Sequence, residues 1–235
     1  APPTDCISPI GEPAILAGLV KTIRADFYCA ATRSPKVYRG NPFMIECGLA
    51  FGKGDGKAAQ YPAQLAAEEM ERKGKGATGD AEAKAEGEDD DDEVELARVF
   101  RFANRVPLIY QQSACATFKA VLDTTWRNYG VTQSRGALPA GPMVIFVHMA
   151  SVWVPFTSES KEAIADYDEI RKDITLALRE CGRRLGLFLR RRERAQGEFR
   201  RRNIFELYIE EVAEACNRLK GGKLRTEKLK AQLQK

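Results

Sequence analysis

Histidine is nearly missing from this chain: of 235 residues, one, His148, is a histidine. Cys-x-x-Cys pairs are missing as well, although six cysteines are present: Cys6, Cys29, Cys47, Cys115, Cys181 and Cys216. Without paired thiols or histidine partners at ligand spacing there is no zinc ligand set. The scattered cysteines, mostly in apolar neighbourhoods, read as buried free thiols of a reducing compartment. His148 alternates with Val144 and Phe146 on one strand face. It has no Ser, Asp or second His in an obvious constellation, so it reads as a satisfied structural histidine, not a base or metal ligand. No apolar run approaches the roughly 20 residues that cross a bilayer, and no basic-then-apolar leader precedes Pro2. A soluble, cytoplasmic protein without a signal peptide is expected.

What is present is segregated charge. The net charge is only +4, but residues 82–95 carry nine carboxylates and residues 179–202 carry ten arginines. The basic stretch suits phosphates, acidic partners or the acidic island itself, and equally well a solvated helix face. Residues 54–93 are rich in Ala, Glu, Lys, Gly and Asp and nearly devoid of large apolar side chains. They cannot bury enough surface to offset ordering entropy, so a disordered acidic insert is expected. Its consecutive carboxylates do not make a preorganised octahedral metal site. Gly52-Lys-Gly-Asp-Gly-Lys57 lacks the spacing of a phosphate-binding loop and reads as a loop.

The apolar pattern predicts a short amphipathic helix over about residues 9–24, with a capping-type start at Ser8 to Glu12. Two strands follow, around Phe27–Thr32 and Phe43–Phe51, separated by a turn region at Arg33-Ser34-Pro35. Beyond the insert, Val94 to Phe102 reads as a strand and Asn104 to Tyr110 as a loop. Ala114 to Leu122 reads as a helix, and residues 126–131 are ambiguous. Met143 to Trp153 suits a strand covered on both faces, which Pro155 ends. From Lys161 onward, apolar residues recur at helical steps through Leu189. A helix from 160 to about 195 would span on the order of 50 Å, with its distal part a strut. Gly182 and Gly186 fit close approach to the sheet, and Gly197 is a place to bend or break. A second amphipathic segment over 204–219 is apolar enough to need a partner, and Gly221-Gly222 stops it. This order describes an α+β chain: a two-layer α/β sandwich with a sheet of roughly four strands, helices on one face, and a long C-terminal helical stalk.

Lys161 is the leading functional candidate. Ser158 or Ser160 would cap the long helix and Glu159 and Glu162 suit its dipole, whereas a lysine in that first turn is electrostatically misplaced. Asn104 and Arg105 follow an apolar strand and are weaker candidates, more readily read as loop anchors.

The block Val154-Pro-Phe-Thr-Ser-Glu-Ser-Lys-Glu-Ala-Ile-Ala-Asp166 closely resembles the B subunit of DNA topoisomerase VI, the ATPase component of a type IIB topoisomerase. Thr4-Asp-Cys-Ile-Ser-Pro-Ile-Gly-Glu12, Val37-Tyr-Arg-Gly-Asn-Pro-Phe43 and Arg101-Phe-Ala-Asn-Arg-Val-Pro-Leu-Ile-Tyr-Gln-Gln112 are similar to the same family, in the same order. Nothing here resembles the Asn and Gly-rich boxes of its GHKL (Bergerat-type) ATP site. The resemblance therefore implies the transducer portion, like the second domain of ribosomal protein S5, and the arm to the topoisomerase VI A subunit. It implies a helical link over 1–24, a transducer domain over 25–189 and a stalk over 190–235 that contacts the A subunit, with the insert as a departure from the family pattern. It also implies that Lys161 contacts the γ-phosphate of ATP, with magnesium accompanying the nucleotide in the GHKL domain. Implied partners are the A subunit, a second copy of the B subunit in a heterotetramer, and double-stranded DNA. The implied role is coupling ATP binding and hydrolysis to strand passage and relaxation of supercoils. No catalytic residue is implied here, because cleavage belongs to the A subunit, and this stretch alone would be inactive. A stand-alone basic nucleic-acid-binding module or a structural adaptor remains the alternative.

Deleting residues 58–92 is expected to leave thermal melting almost unchanged. A large drop in melting temperature would show that the segment is packed.

Overall fold

The computed structural model describes residues 4–54, 59–60, 95–219 and the single positions 221, 227 and 230. The expected insert lies almost wholly outside the described residues. Helix α1 is Glu12–Thr22, and the strands are β1 Phe27–Thr32, β2 Lys36–Tyr38, β3 Asn41–Phe51, β4 Ala59–Gln60, β5 Arg98–Ala103, β6 Val106–Pro107 and β7 Met143–Ser151. Helix α2 is Ala116–Asp123 and helix α3 is Asp168–Leu219. Short 3-10 turns cover Thr4–Cys6, Gln112–Ala114 and Trp126–Tyr129.

The expected α+β class is what the chain adopts, with one mixed sheet and a long C-terminal helix. Among the described residues the sheet has seven strands, in the order β4-β1-β3-β7-β5-β6 with β2 on β3. β1, β3 and β7 are antiparallel neighbours, and β5 runs parallel to β7. The additional strands β2, β4 and β6 are two or three residues long. They owe their state to a neighbour's ladder and not to any apolar alternation of their own.

Side-chain alternation gives the sheet two apolar faces. Ile15 and Leu19 of α1 bury against Tyr28, Ala30, Ala50 and Val144 on one face. On the other, the Cys29 thiol donates to the Cys181 carbonyl of α3, and the Cys181 thiol donates to the Cys47 carbonyl. Burial foremost, then proximity to the Cys181 thiol, pushes the Cys29 and Cys47 thiols well above the ordinary range, which leaves them inert. All six cysteines are free, Cys6 exposed and Cys216 half-buried. The longest helix thus covers one face, but α1 covers the other, so the helices do not lie on one face alone as expected.

Long-range side-chain bonds complete α1 and β1, and one of them replaces an expected local cap. No side chain of its own segment caps α1; the amides of Ile10 and Gly11 ahead of it donate instead to Glu46 of β3. At the outer edge of β1, Glu12 accepts from the Thr32 N–H (3.0 Å), and Arg184 of α3 donates to the Ala30 carbonyl. Glu12 and Arg184 pair with each other at 3.6 Å. The part of this edge that β4 leaves open is thereby satisfied by side chains, which removes it as a template for a foreign strand.

The chain divides into two compact units, Ala1–Leu187 and Phe188–Lys235. α3 starts at Asp168, not at residue 160, and is helical through Gly197 and on to Leu219, so the break considered at Gly197 does not occur. Within the second unit, Ile209 and Ala213 are buried, while Phe199, Ile204, Phe205, Leu207, Tyr208, Val212 and Leu219 are exposed. Among the described residues the apolar segment 204–219 therefore has no cover over much of its surface. Gly221, with φ 62°, follows the helix end in the left-handed conformation that terminates helices.

The close approach expected at the helical glycines is real, and its partner is Tyr129. A Cβ on Gly182 would sit 2.5 Å from the Tyr129 ring, and one on Gly186 would lie 3.3 Å from its backbone. Gly182→Val is expected to destabilise the protein by about 1–3 kcal/mol through overpacking. The melting midpoint should fall by roughly 2–4 °C per kcal/mol. An unchanged midpoint would show that the ring moves aside freely.

Candidate functional site

The parallel strands β5 and β7 end side by side, Ala103 opposite Met149, while antiparallel β3 begins at the same place, Phe43 opposite Ser151. One end of the sheet therefore gathers three connections: the Tyr38–Asn41 turn, the Asn104–Arg105 turn and the loop from Val152 to Tyr167. The last of these carries Lys161.

That loop folds back on itself. Phe156 and Ile164 form an isolated antiparallel bridge, Thr157 N–H donates to the Ala163 carbonyl (2.9 Å) and Ala165 N–H to the Pro155 carbonyl (2.7 Å). Ala163 and Ile164 are fully buried. Ile164 is held against the start of α2: its carbonyl accepts from Ala116 N–H (2.9 Å), and its N–H lies 3.4 Å from the Cys115 sulfur. This explains the later helix start. Ile164 fits helical spacing, but it serves as a plug between loop and α2, and the first helical turn holds Asp168 and Glu169 instead of Glu159 and Glu162.

Lys161 accordingly sits on an exposed turn and not in a helix. Its N–H donates to the Ser158 carbonyl (3.2 Å), its φ is 56°, and the Ser158 and Ser160 hydroxyls bond each other at 2.7 Å. The expected serine cap of α3 is therefore absent. Among the described residues the Lys161 ammonium has no hydrogen-bond or ion-pair partner. Exposed apolar side chains surround this end of the sheet: Val106, Ile109, Tyr110, Val152 and Trp153. Arg39 lies over the rings of Tyr38 (5.3 Å) and Tyr167 (5.1 Å), closing one flank by cation–π contact.

Behind the exposed end lies a buried carboxylate–imidazole pair that the sequence pattern did not reveal. Glu46 and His148, both fully buried, meet at 2.8 Å across the β3–β7 ladder. The Arg105 backbone N–H donates to His148 Nε2 (3.0 Å). An amide can only donate, so Nε2 accepts, the ring proton resides on Nδ1, and it is given to Glu46 Oε2. Glu46 also accepts from the amides of Ile10 (2.8 Å) and Gly11 (2.7 Å). Burial alone would raise the Glu46 pKa, but the bonds from His148, Ile10 and Gly11 outweigh it and hold the carboxyl below its ordinary 4.5. The only available signal was an acid inside the apolar run Phe43–Phe51.

His148 is thus the structural histidine expected, and Asn104 and Arg105 are indeed loop anchors. The Asn104 amide donates to the Ser151 carbonyl (2.8 Å) and its oxygen accepts from Ser151 N–H (2.9 Å). Arg105 also donates to the Pro9 carbonyl (3.1 Å). Gly52 and Gly54, at φ 104° and 77°, pack on Asp26 and Arg24 as a turn; residues 55–58 of the glycine-lysine stretch lie outside the described residues. Of the arginine-rich stretch, Arg184 is buried at the β1 edge, Arg183 pairs with Glu180, and Arg202 pairs with Glu206. Among the described residues no group of His, Cys, Asp or Glu has the arrangement of a metal site, and no helix is long and apolar enough to cross a membrane.

Residues 2–201 match the family described as topoisomerase VI B subunit, transducer. Curated relatives described as the B subunit of type 2 DNA topoisomerase 6 are similar over most of the chain. That of Methanococcoides burtonii is 42% identical over 212 residues, covering 90% of this chain and 28% of the relative. That of Methanosarcina mazei is 40% identical with the same coverage, and that of Archaeoglobus fulgidus is 40% identical over 193 residues, 82% and 26%. The chain spans about a quarter of the length of these relatives. A solved structure, the B subunit of DNA gyrase from Myxococcus xanthus, is similar over 72% of this chain and 42% of its own, at 13% identity and a TM-score of 0.37. The family match makes this sheet and its long helix a transducer domain. The chain belongs to the topoisomerase VI B-subunit family, in its transducer part.

The buried Glu46 carboxylate generates a pH prediction. Since the folded pKa of Glu46 lies below the unfolded value, its stabilisation is complete above about pH 4.5 and is lost as pH falls through the depressed folded value. Glu46→Gln, which turns an amide donor towards backbone donors, is expected to lose about 2 kcal/mol in urea unfolding at pH 7. The gap from wild type should narrow below pH 4.5. A gap independent of pH would mean that Glu46 is not ionised in the fold.

Proposed function

We propose that this chain is the coupling part of the B subunit in an ATP-dependent type IIB DNA topoisomerase, and so a component of an isomerase. The observation that carries this reading is the Lys161 ammonium, unpaired among the described residues, at the tip of a loop whose root is fixed on both sides. The residues present fit one contact with a phosphate and not a nucleotide pocket: a single cation, flanked by the Ser158 and Ser160 hydroxyls. ATP and its magnesium belong, in this reading, to a GHKL domain elsewhere in the complete protein. Bound there, the nucleotide supplies a γ-phosphate that exists before hydrolysis and not after.

Lys161 reads that difference. A charge-assisted hydrogen bond to phosphate contributes about 1.5–3 kcal/mol. Moving a two-state equilibrium from 1:99 to 99:1 needs roughly 5.5 kcal/mol, so Lys161 biases the conformation and dimerisation of two B subunits supplies the remainder. α3 then relays the change towards the A subunit, for which the exposed apolar residues Ile204, Tyr208 and Val212 are suitable contacts. The assembly is a cytoplasmic heterotetramer of two A and two B subunits acting on double-stranded DNA, and the present chain alone does not hydrolyse ATP.

A second reading, a basic nucleic-acid-binding module, draws on the exposed arginines at 190–194 and 200–202. It requires DNA binding by this chain alone, falling steeply with salt.

In the assembled enzyme, Lys161→Ala is expected to lower ATP hydrolysis and strand passage roughly ten- to hundredfold, with formation of the heterotetramer intact. Wild-type rates in that variant would refute the sensor role.

A further inference from the structure

The Arg101–Gln112 block is one of those that resemble the family, yet the role proposed for Lys161 makes no use of it. Its centre is a two-residue hairpin turn, Asn104–Arg105, between the paired ends Ala103 and Val106. Both residues are left-handed, with φ 45° and 67°, as a tight turn matching the strand twist requires. Asparagine tolerates this backbone well and arginine poorly. The turn places two sets of bonds in opposite directions.

Towards the Lys161 loop, the Asn104 side chain makes both bonds that a neighbouring strand would make to Ser151, at 2.8 and 2.9 Å. Ser151 is the last residue of β7 and the root of the loop, and its own hydroxyl lies 2.9 Å from the Pro42 carbonyl. Towards the segment before α1, the Arg105 guanidinium donates to the Pro9 carbonyl, and the Arg105 backbone N–H donates to His148, which bonds Glu46, which holds the Ile10 and Gly11 amides. The turn is shaped from below by Arg101, buried with its guanidinium on the carbonyls of Leu108 (2.8 Å) and Tyr110 (3.1 Å). Further along, Cys115 and Ala116 hold the far side of the same loop at Ile164. One stretch of chain therefore grips the Lys161 loop at two points and the Pro9–Gly11 segment at a third.

We propose that the Asn104–Arg105 turn is the positioning element of the Lys161 loop, fixing its root at Ser151 and joining that root to the Pro9–Gly11 segment through Arg105, His148 and Glu46. Asn104 is a positioning residue: it acts through Ser151 and touches no nucleotide. Its importance to ATP turnover rests on the reading of Lys161 given above, while its hold on the loop does not.

Asn104→Gly separates the two, because glycine adopts the left-handed turn freely and deletes only the two side-chain bonds. By hydrogen-exchange mass spectrometry of the whole 235-residue chain, amides of residues 152–162 should exchange about tenfold faster or more in this variant, with residues 170–178 of α3 unchanged. Asn104→Asp, which keeps the acceptor for Ser151 N–H, should fall between. In the assembled enzyme, Asn104→Gly should slow ATP hydrolysis severalfold, and the double variant with Lys161→Ala should be no slower than Lys161→Ala alone. Wild-type exchange over 152–162, or losses that multiply in the double variant, would overturn the positioning role. Accelerated exchange with wild-type turnover in Lys161→Ala would instead sink the phosphate-sensor reading and leave the positioning role standing.

Discussion

The β3–β7 ladder is the constraint on which the rest of this molecule depends. Its nine pairs run from Phe43 opposite Ser151 to Phe51 opposite Met143. Because successive side chains point to opposite faces, this register alone decides which residues meet α1 and which meet α3. A slip by one residue would turn Glu46 away from the Ile10 and Gly11 amides and into the layer of Ile45 and Cys47. The same register sets Ser151 beside the end of β5, where the Asn104 side chain can reach it. The buried charge and the root of the lysine loop are thus two consequences of one pairing.

Apolar contact between helix and sheet is non-directional, and in this fold directional bonds from buried charges complement it. Arg184 and Glu12 reach the outer edge of β1 from opposite faces and meet there. Asp173, buried like Arg184, receives Lys36 at 2.5 Å and Arg33 at 3.4 Å from the β1–β2 region. Each joins α3 to the strand system at a named atom. Removing one partner of such a group leaves the other buried and uncompensated, which makes these anchors specific for one arrangement of helix on sheet. They also explain why the basic stretch beginning at Arg179 is not uniformly a solvated face.

Much of the architecture was legible in the chain. The strands at Phe27–Thr32 and Met143–Ser151, helix α1 and the apolar stripe of α3 all carry enough apolar residues at the right period to announce themselves. The glycines at 182 and 186 signalled a close approach, but the sheet expected as its partner is not the neighbour; Tyr129 is. What was misread follows a pattern. Ile164 fits the helical spacing of α3, but its backbone is committed to Phe156 and Ala116, so the helix begins at Asp168. β2 and β6 have too few residues to show a period and exist because a neighbouring strand offers free donors and acceptors. At the candidate site, Lys161 was identifiable as an oddly placed cation within a family block, whereas its environment was not: a turn, and not a helix start, presents it.

By itself, then, the sequence determined the composition of the layers, the family and the lysine, since period, residue type and local motif are properties of neighbours along the chain. Only the tertiary structure decided that Glu46 meets His148, that Asn104 stands in for a strand beside Ser151, and that Glu12 and Arg184 close the edge of β1. Those contacts join residues from 20 to more than 150 positions apart, and their energies depend on burial and on atom-to-atom distance, neither of which a linear pattern encodes.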